Sequence, residues 1–460
     1  MLICSYFFYR IPIISKILEG EDTIFGELFI GSCSKPYYWC MGFLNNQPVD
    51  GLFLHPTIFM EILHQLNIPI QHFIPLNNLN DLEASVYIRL FCSSFFLLGI
   101  IIFSFWSFTI LKFQKPAFFI FMIFLAAISQ RYGVDNSVFP HIDTTVAIVA
   151  ACILMVTVDN YLRKAQTFIG ALGMFCSCTF FCFGKQEWTI LLFLSVLATF
   201  IFHFRKLEYF KFFIIMFCAI IFGNLISYLF DPVNYNGGLA LFVRMFSKYI
   251  GNGVSNNNVN FMFEGHQVIM QNDFDGSHRS WLTLFLNKLE SVYFIFALML
   301  VLSIKCILNI NKISVFTFWI WMFTLAFFFA FFISSWDLNR YFILSYFSVL
   351  FYTVSCYRDD ILGKIDRMII VIICFVSWLL GTNYLFSFVQ SNRPKLNFKE
   401  LYFINKQSIA PKDTLQTYII TFNKHHLNPA ISFYFHSTDS FKLLNNKGIA
   451  KIKKVQNINY

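Results

Sequence analysis

The sequence predicts an all-α polytopic membrane protein of about eleven transmembrane helices. A small extracytoplasmic α/β appendage is expected at the C-terminal end. Three observations carry that reading. The 460-residue chain is 57% hydrophobic. It is only 13% charged, against about 25% in soluble domains. Its apolar runs repeatedly exceed the roughly 18 residues that mark a bilayer span. The mean hydropathy of +0.62 agrees. The 63 Phe residues fit an AT-rich coding bias as well as any function, so nothing is drawn from them.

Residues 2–18 form a short first span, interrupted by Arg10 and Lys16. It runs into an acidic cluster without a small-residue cleavage site, so it reads as uncleaved. Residues 19–83 form a first large loop, within which 57–66 and 81–90 read as amphipathic interfacial helices. Spans follow at about 85–112, 116–131, 143–159, 167–184, 188–204, 209–229, 290–309, 314–334, 341–356 and 368–389. The loop 230–289 is Gly- and Asn-rich and too long for a plain connection, which suggests a substrate-covering or disordered segment. The tail 390–460 is polar and Lys-rich. Its alternating stretches Thr417–Ile420 and Ile431–Phe435 read as strands. The chain thus divides into a membrane domain, 1–389, and a small C-terminal domain, 390–460.

Charge orients the set. Lys112 and Lys115, Arg163 and Lys164, Arg205, Lys206 and Lys211, Lys305 and Lys312, and Arg358, Lys364 and Arg367 all fall on alternate loops. The positive-inside rule makes that side cytoplasmic. The net charge of +9 is thereby accounted for by topology and calls for no nucleic acid. The acidic loop, the long loop and the tail then lie outside a cytoplasmic (inner) membrane. Most of the twelve Cys residues sit in apolar runs as small apolar side chains. Cys33 and Cys40 lie in the first outer loop, where a disulfide can form.

Ionisable residues at span mouths are functional candidates because burying them in lipid is costly. Glu21 and Asp22 end the first span and suit a general base or a cation ligand. A solvated helix end is the plain alternative. His55-Pro56 offers a cation to a phosphate, or simply a turn at a helix start. Asp143 opens a span, where Asp also serves as an N-cap. Lys185 and Glu187 share a minimal outer turn and read either as a site or as a snorkelling pair. Arg340-Tyr341 starts a late span. Arg suits phosphate, although Asp337 is close enough in sequence to pair with it.

In this order the residues resemble a known pattern. Membrane glycosyltransferases of the GT-C fold include protein O-mannosyltransferases, lipid A aminoarabinose transferases and the RgtA-to-D-like group. They show an acidic pair after the first span, then a His-Pro or Lys-Pro step. An acid opening a later span, a Lys in a short outer turn and a late Arg-Tyr follow. Glu21-Asp22, His55-Pro56, Asp143, Gly184-Lys185 and Arg340-Tyr341 are similar to these, and Asn428–Tyr434 resembles a strand of that family's outer C-terminal domain. The departures are Glu-Asp in place of Asp-Glu, and Pro-Thr in place of Pro-Pro after the His.

The resemblance implies inverting transfer of a sugar from a polyprenyl-phosphate donor to a hydroxyl of a cell-envelope glycan, lipid (such as the lipid A of lipopolysaccharide) or protein. It gives Asp22, Glu21 and Asp143 catalytic roles. It assigns Lys185, Arg340 and His55 to the donor phosphate, and Glu187 and Tyr341 to substrate. Some relatives use a divalent cation and others none, which leaves the metal open. Two rivals stand beside it, and a catalytically inactive member with a structural role is a third alternative. One is an O-antigen-type polymerase or ligase using His266, His278 and Arg279 of the long loop. The other is a lipid-linked sugar transporter or flippase, for which paired, broken halves would be the sign; the sequence shows no such symmetry.

Overall fold

A computed structural model describes residues 2–18, 81–111, 117–129, 142–163, 167–184, 186–203, 209–230, 259–263, 266–273, 281–333, 339–390, 417–423 and 451–455, with residues 58, 59, 62, 65, 66, 69 and 70 of the first loop. Among the described residues eleven helices follow one another: α1 Leu2–Leu18, α2 Asp81–Leu111, α3 Ala117–Ser129, α4 Ile142–Arg163, α5 Phe168–Cys182, α6 Gln186–His203, α7 Phe210–Phe230, α8 Trp281–Leu308, α9 Val315–Ile333, α10 Asn339–Arg358 and α11 Lys364–Gln390. Five of them, α2, α4, α7, α9 and α11, are long and apolar enough to cross a membrane. Within α3, α5, α6 and α8 lie shorter apolar helices. The chain is an integral membrane protein by this measure, because lipid admits only segments that satisfy their own backbone hydrogen bonds.

Two boundaries differ from the sequence reading. Residues 81–90 are the first turns of α2, not a separate interfacial helix, because Val86, Ile88 and Leu90 continue the apolar pattern of the span. Helix α8 starts at Trp281, well before the expected 290, and breaks at Val292, whose φ of −124° and ψ of 17° are not helical. The expected boundary is therefore a kink, reached through the apolar Leu282, Leu284, Phe285 and Leu289.

The helix ends are gathered by direct contacts. Trp106 near the end of α2 donates its indole N–H to Asp159 of α4 at 2.9 Å. Arg358, the last residue of α10, bonds the same carboxylate. Phe119 at the start of α3 packs on Tyr357 with ring centroids 5.4 Å apart. Lys305 of α8 pairs with Asp366 of α11 at 2.8 Å. His203 at the end of α6 meets Phe318 of α9 edge-on at 5.1 Å. The ends of α2, α4, α6, α8 and α10 and the starts of α3, α9 and α11, which border the basic residues in sequence, therefore lie at one end of the bundle. Helices α2, α4, α6, α8 and α10 run toward it, and α3, α5, α7, α9 and α11 run away from it.

Aromatic rings fill the middle. Phe103 and Trp106 of α2 pack on Phe351 of α10, with centroids 5.3 Å and 4.5 Å apart. Small residues allow the closest helix approaches, as expected where no hydrophobic drive separates helix from lipid. A Cβ at Gly99 of α2 would stand 2.8 Å from Ile148 of α4 and 3.1 Å from Phe347 of α10. One at Gly223 of α7 would stand 2.6 Å from the Cys182 Cβ of α5. Gly381 of α11 lies directly against the Ser129 carbonyl of α3.

Outside the bundle, four strands form one sheet in the order β1-β2-β3-β4. Strands β1 Val259–Phe263 and β2 His266–Asp273 come from the long loop. Strands β3 Thr417–Asn423 and β4 Lys451–Val455 come from the tail. β2 and β3 pair in parallel with Ile269 opposite Ile419, and the outer pairs are antiparallel. The tail strand expected at 417–420 is thus longer. Part of the loop expected to be disordered or substrate-covering is strand, its short alternation masked by the Asn-rich stretch before it. The stretch Ile431–Phe435 lies outside the described residues.

Candidate functional site

The end of the bundle opposite the basic loops is shaped by a length mismatch. Helix α5 has 15 residues, about 22 Å at 1.5 Å per residue, short of a hydrocarbon core about 30 Å thick. The hydroxyls of Thr157 on α4 and Ser177 on α5 meet at 2.6 Å, which sets the two helices level there. From Ser177 the α5–α6 turn at Gly184 is about 10 Å away along the helix, while α4 continues for about 22 Å to Ile142. The turn is therefore recessed about 12 Å below the start of α4.

Phe59 of the first loop occupies this recess. It is fully buried, with its ring centroid 5.6 Å from that of Phe180. Gly184 is what admits it. A Cβ at that position would stand 3.1 Å from the Phe59 ring and 3.0 Å from Trp188. The Gly184 amide donates to the Phe181 carbonyl at 3.1 Å and closes the turn. The first loop is thus anchored on the α5–α6 turn, close in sequence to both His55 and Lys185.

Of the residues singled out from sequence, Glu21, Asp22, His55 and Lys185 lie outside the described residues, as do Cys33 and Cys40. Asp143 lies in the first turn of α4, Glu187 in that of α6, and Arg340 and Tyr341 in that of α10. All three helix starts are at the end away from the gathered helix ends. Ile148 and Phe347 both flank Gly99, and Asp143 and Arg340 lie five and seven residues beyond them toward that end. Two parallel helices packed on α2 therefore begin with an acid and a cation. His266 of the rival polymerase reading begins β2; His278 and Arg279 lie outside the described residues.

Two further charged features carry no role in the sequence reading. Arg10 is buried inside α1, with a guanidinium N–H donated to the Ile128 carbonyl at 3.2 Å and its carbon 5.2 Å from the Tyr6 ring centre. Beside it, Tyr9 bonds Thr382 at 2.9 Å and accepts from the Trp378 indole. These contacts tie α1 to the far ends of α3 and α11. An Arg inside an apolar segment is the sequence signal for such a position.

The second is the cluster around Asp159, fully buried at the basic end. Arg163 donates to it at 2.8 Å, in addition to Trp106 and Arg358. Arg358 also binds Asp359 at 2.9 Å and Ser314 at 2.8 Å. Asp359 in turn accepts from the Ser314 amide at 2.8 Å and the Thr317 hydroxyl at 2.6 Å. Every strong group in the cluster is occupied by another, so it clasps helices together and offers no free valence to a ligand. An Asp within a span, four residues before an Arg, is the signal that would have found it.

Among the described residues no three His, Cys, Asp or Glu side chains are grouped to hold a metal ion. No protein-family model, curated protein or solved structure matches the chain.

Proposed function

We propose that the protein is an inverting membrane glycosyltransferase that moves a sugar from a polyprenyl-phosphate donor to a hydroxyl acceptor on the outer face of the cytoplasmic membrane. The reading rests on the ordered motifs of the sequence. The observation that carries it is the common end shared by the starts of α4, α6 and α10, which bear Asp143, Glu187 and Arg340-Tyr341.

In the proposed reaction the acceptor oxygen attacks the anomeric carbon while its proton passes to Asp22 or Glu21. The bond from that carbon to the phosphate oxygen breaks, and the lipid phosphate leaves with the electron pair. Lys185, Arg340 and His55 stabilise the developing phosphate charge. Asp143 holds the acceptor, and Glu187 and Tyr341 orient the sugar. The carboxylates also suit a divalent cation, without requiring one. The acceptor belongs to the class of envelope glycans, lipids or proteins.

The test is transfer of labelled sugar from polyprenyl-phosphate donors in membranes containing the full chain. Loss of the base should cost about 10²–10⁴ in rate. Asp22→Asn or Glu21→Gln is expected to show that loss, and Asp143→Asn a smaller one with a raised acceptor KM. Full transfer by all three variants would overturn the reading.

A further inference from the structure

Cys306 lies two residues before the end of α8, and Cys356 two residues before the end of α10. Both are fully buried, and their sulfurs are 3.8 Å apart. The Tyr352 hydroxyl, one turn back on α10, donates to the Cys306 sulfur at 2.9 Å and fixes its position. A disulfide needs about 2.05 Å between sulfurs, so the pair must close by about 1.8 Å, a movement of the size that side-chain rotation supplies.

We propose that Cys306 and Cys356 are a redox-modification site, a dithiol that oxidises to a disulfide joining the last turns of α8 and α10. Two S–H bonds break and one S–S bond forms. The two electrons and two protons pass to an acceptor soluble in the bilayer, of the quinone class, which leaves as the quinol. Such an acceptor partitions into the bilayer around the bundle, where a charged oxidant does not. Thiols on the cytoplasmic side are held reduced. With the basic end cytoplasmic, the dithiol is the resting form and the disulfide its oxidised form. The bond would pin α8 to the helix whose last residue, Arg358, anchors the Asp159 clasp.

Diamide tests this directly, because it is membrane-permeant and takes up two electrons and two protons. Membranes containing the full chain are treated with it, quenched, denatured and alkylated, and each cysteine peptide is weighed. The expected result is joint loss of Cys306 and Cys356 from the alkylated pool, with a cross-linked peptide 2 Da lighter than the two thiols. Cys152 and Cys374, both free thiols and fully buried, should stay alkylatable. In Cys306→Ser, Cys356 should remain reduced under the same treatment. Full alkylation of both thiols after diamide, or loss of Cys356 in the Cys306→Ser variant at the original rate, would overturn the proposal.

Discussion

Asp159 and Arg358 stand 199 residues apart in the chain, yet they form one buried ion pair at the end of the bundle. The pair joins two parallel helices and, through Trp106 and Ser314, also holds α2 and the start of α9.

Removing one partner should therefore be far costlier than removing an exposed neighbour. Asp159→Ala leaves the Trp106 indole buried without its acceptor and strips the Arg358 guanidinium of its ion-pair partner on α4, leaving it Asp359 and Ser314. About 3–5 kcal/mol of stability should be lost. Arg163→Gln removes a partner whose side chain is 36% exposed, and should cost under about 1 kcal/mol. Equilibrium unfolding in mixed micelles measures both. Equal costs would contradict the clasp.

The packing of α3 on α11 depends on Gly381. Its missing Cβ is the space occupied by the Ser129 carbonyl, a backbone group that no rotamer change can move. Gly381→Val is expected to cost about 1–3 kcal/mol and to lower the Tm. Gly173→Val on α5, where nothing lies within 4 Å of the added atom, should leave the Tm within experimental scatter.

Phe59 anchors the first loop on the α5–α6 turn. Phe59→Ala leaves a cavity beside Phe180 and Gly184, at a cost of about 3–5 kcal/mol to docking. Hydrogen exchange at residues 58–62 should then speed up by about a hundredfold or more, since local opening reports local stability. Exchange in the middle of α9 should not change. A uniform rise through the bundle would show that Phe59 supports the whole fold and not the loop alone.

The orientation can be read from outside the cell. Single cysteines placed at Lys185 and Arg340 in a cysteine-free chain should react with a membrane-impermeant maleimide in intact cells. Cysteines at Lys164 and Lys312 should react only after lysis. The reverse pattern would place the basic end outside, against the positive-inside bias.

Much of this arrangement is legible in the amino-acid sequence. All eleven helical segments overlap apolar runs, because in lipid a segment must be apolar outside and hydrogen-bonded within itself. The alternation of Lys and Arg put the ends of α2, α4, α6, α8 and α10 together, and direct contacts such as Lys305 with Asp366 join them. Less legible were the points where a local pattern served two structures. Leu282–Leu289 is apolar enough for helix and polar enough for loop, and so the kink at Val292 passed for a boundary. Val259–Asp273 alternates like a strand, but weakly and beside an Asn-rich run.

For this protein, the sequence alone determined membrane embedding, the helical segments, the shared side of the basic loops and the candidate acids and cations at the span mouths. Each of these depends on composition within a window of about twenty residues. Tertiary structure alone decided that Asp159 meets Arg358, that Cys306 faces Cys356, that Phe59 fills the recess at Gly184, and that β2 pairs with β3. Those contacts join segments tens to hundreds of residues apart. Apolar helix faces are chemically alike, so which face meets which is selected by packing shape and by a few buried polar pairs.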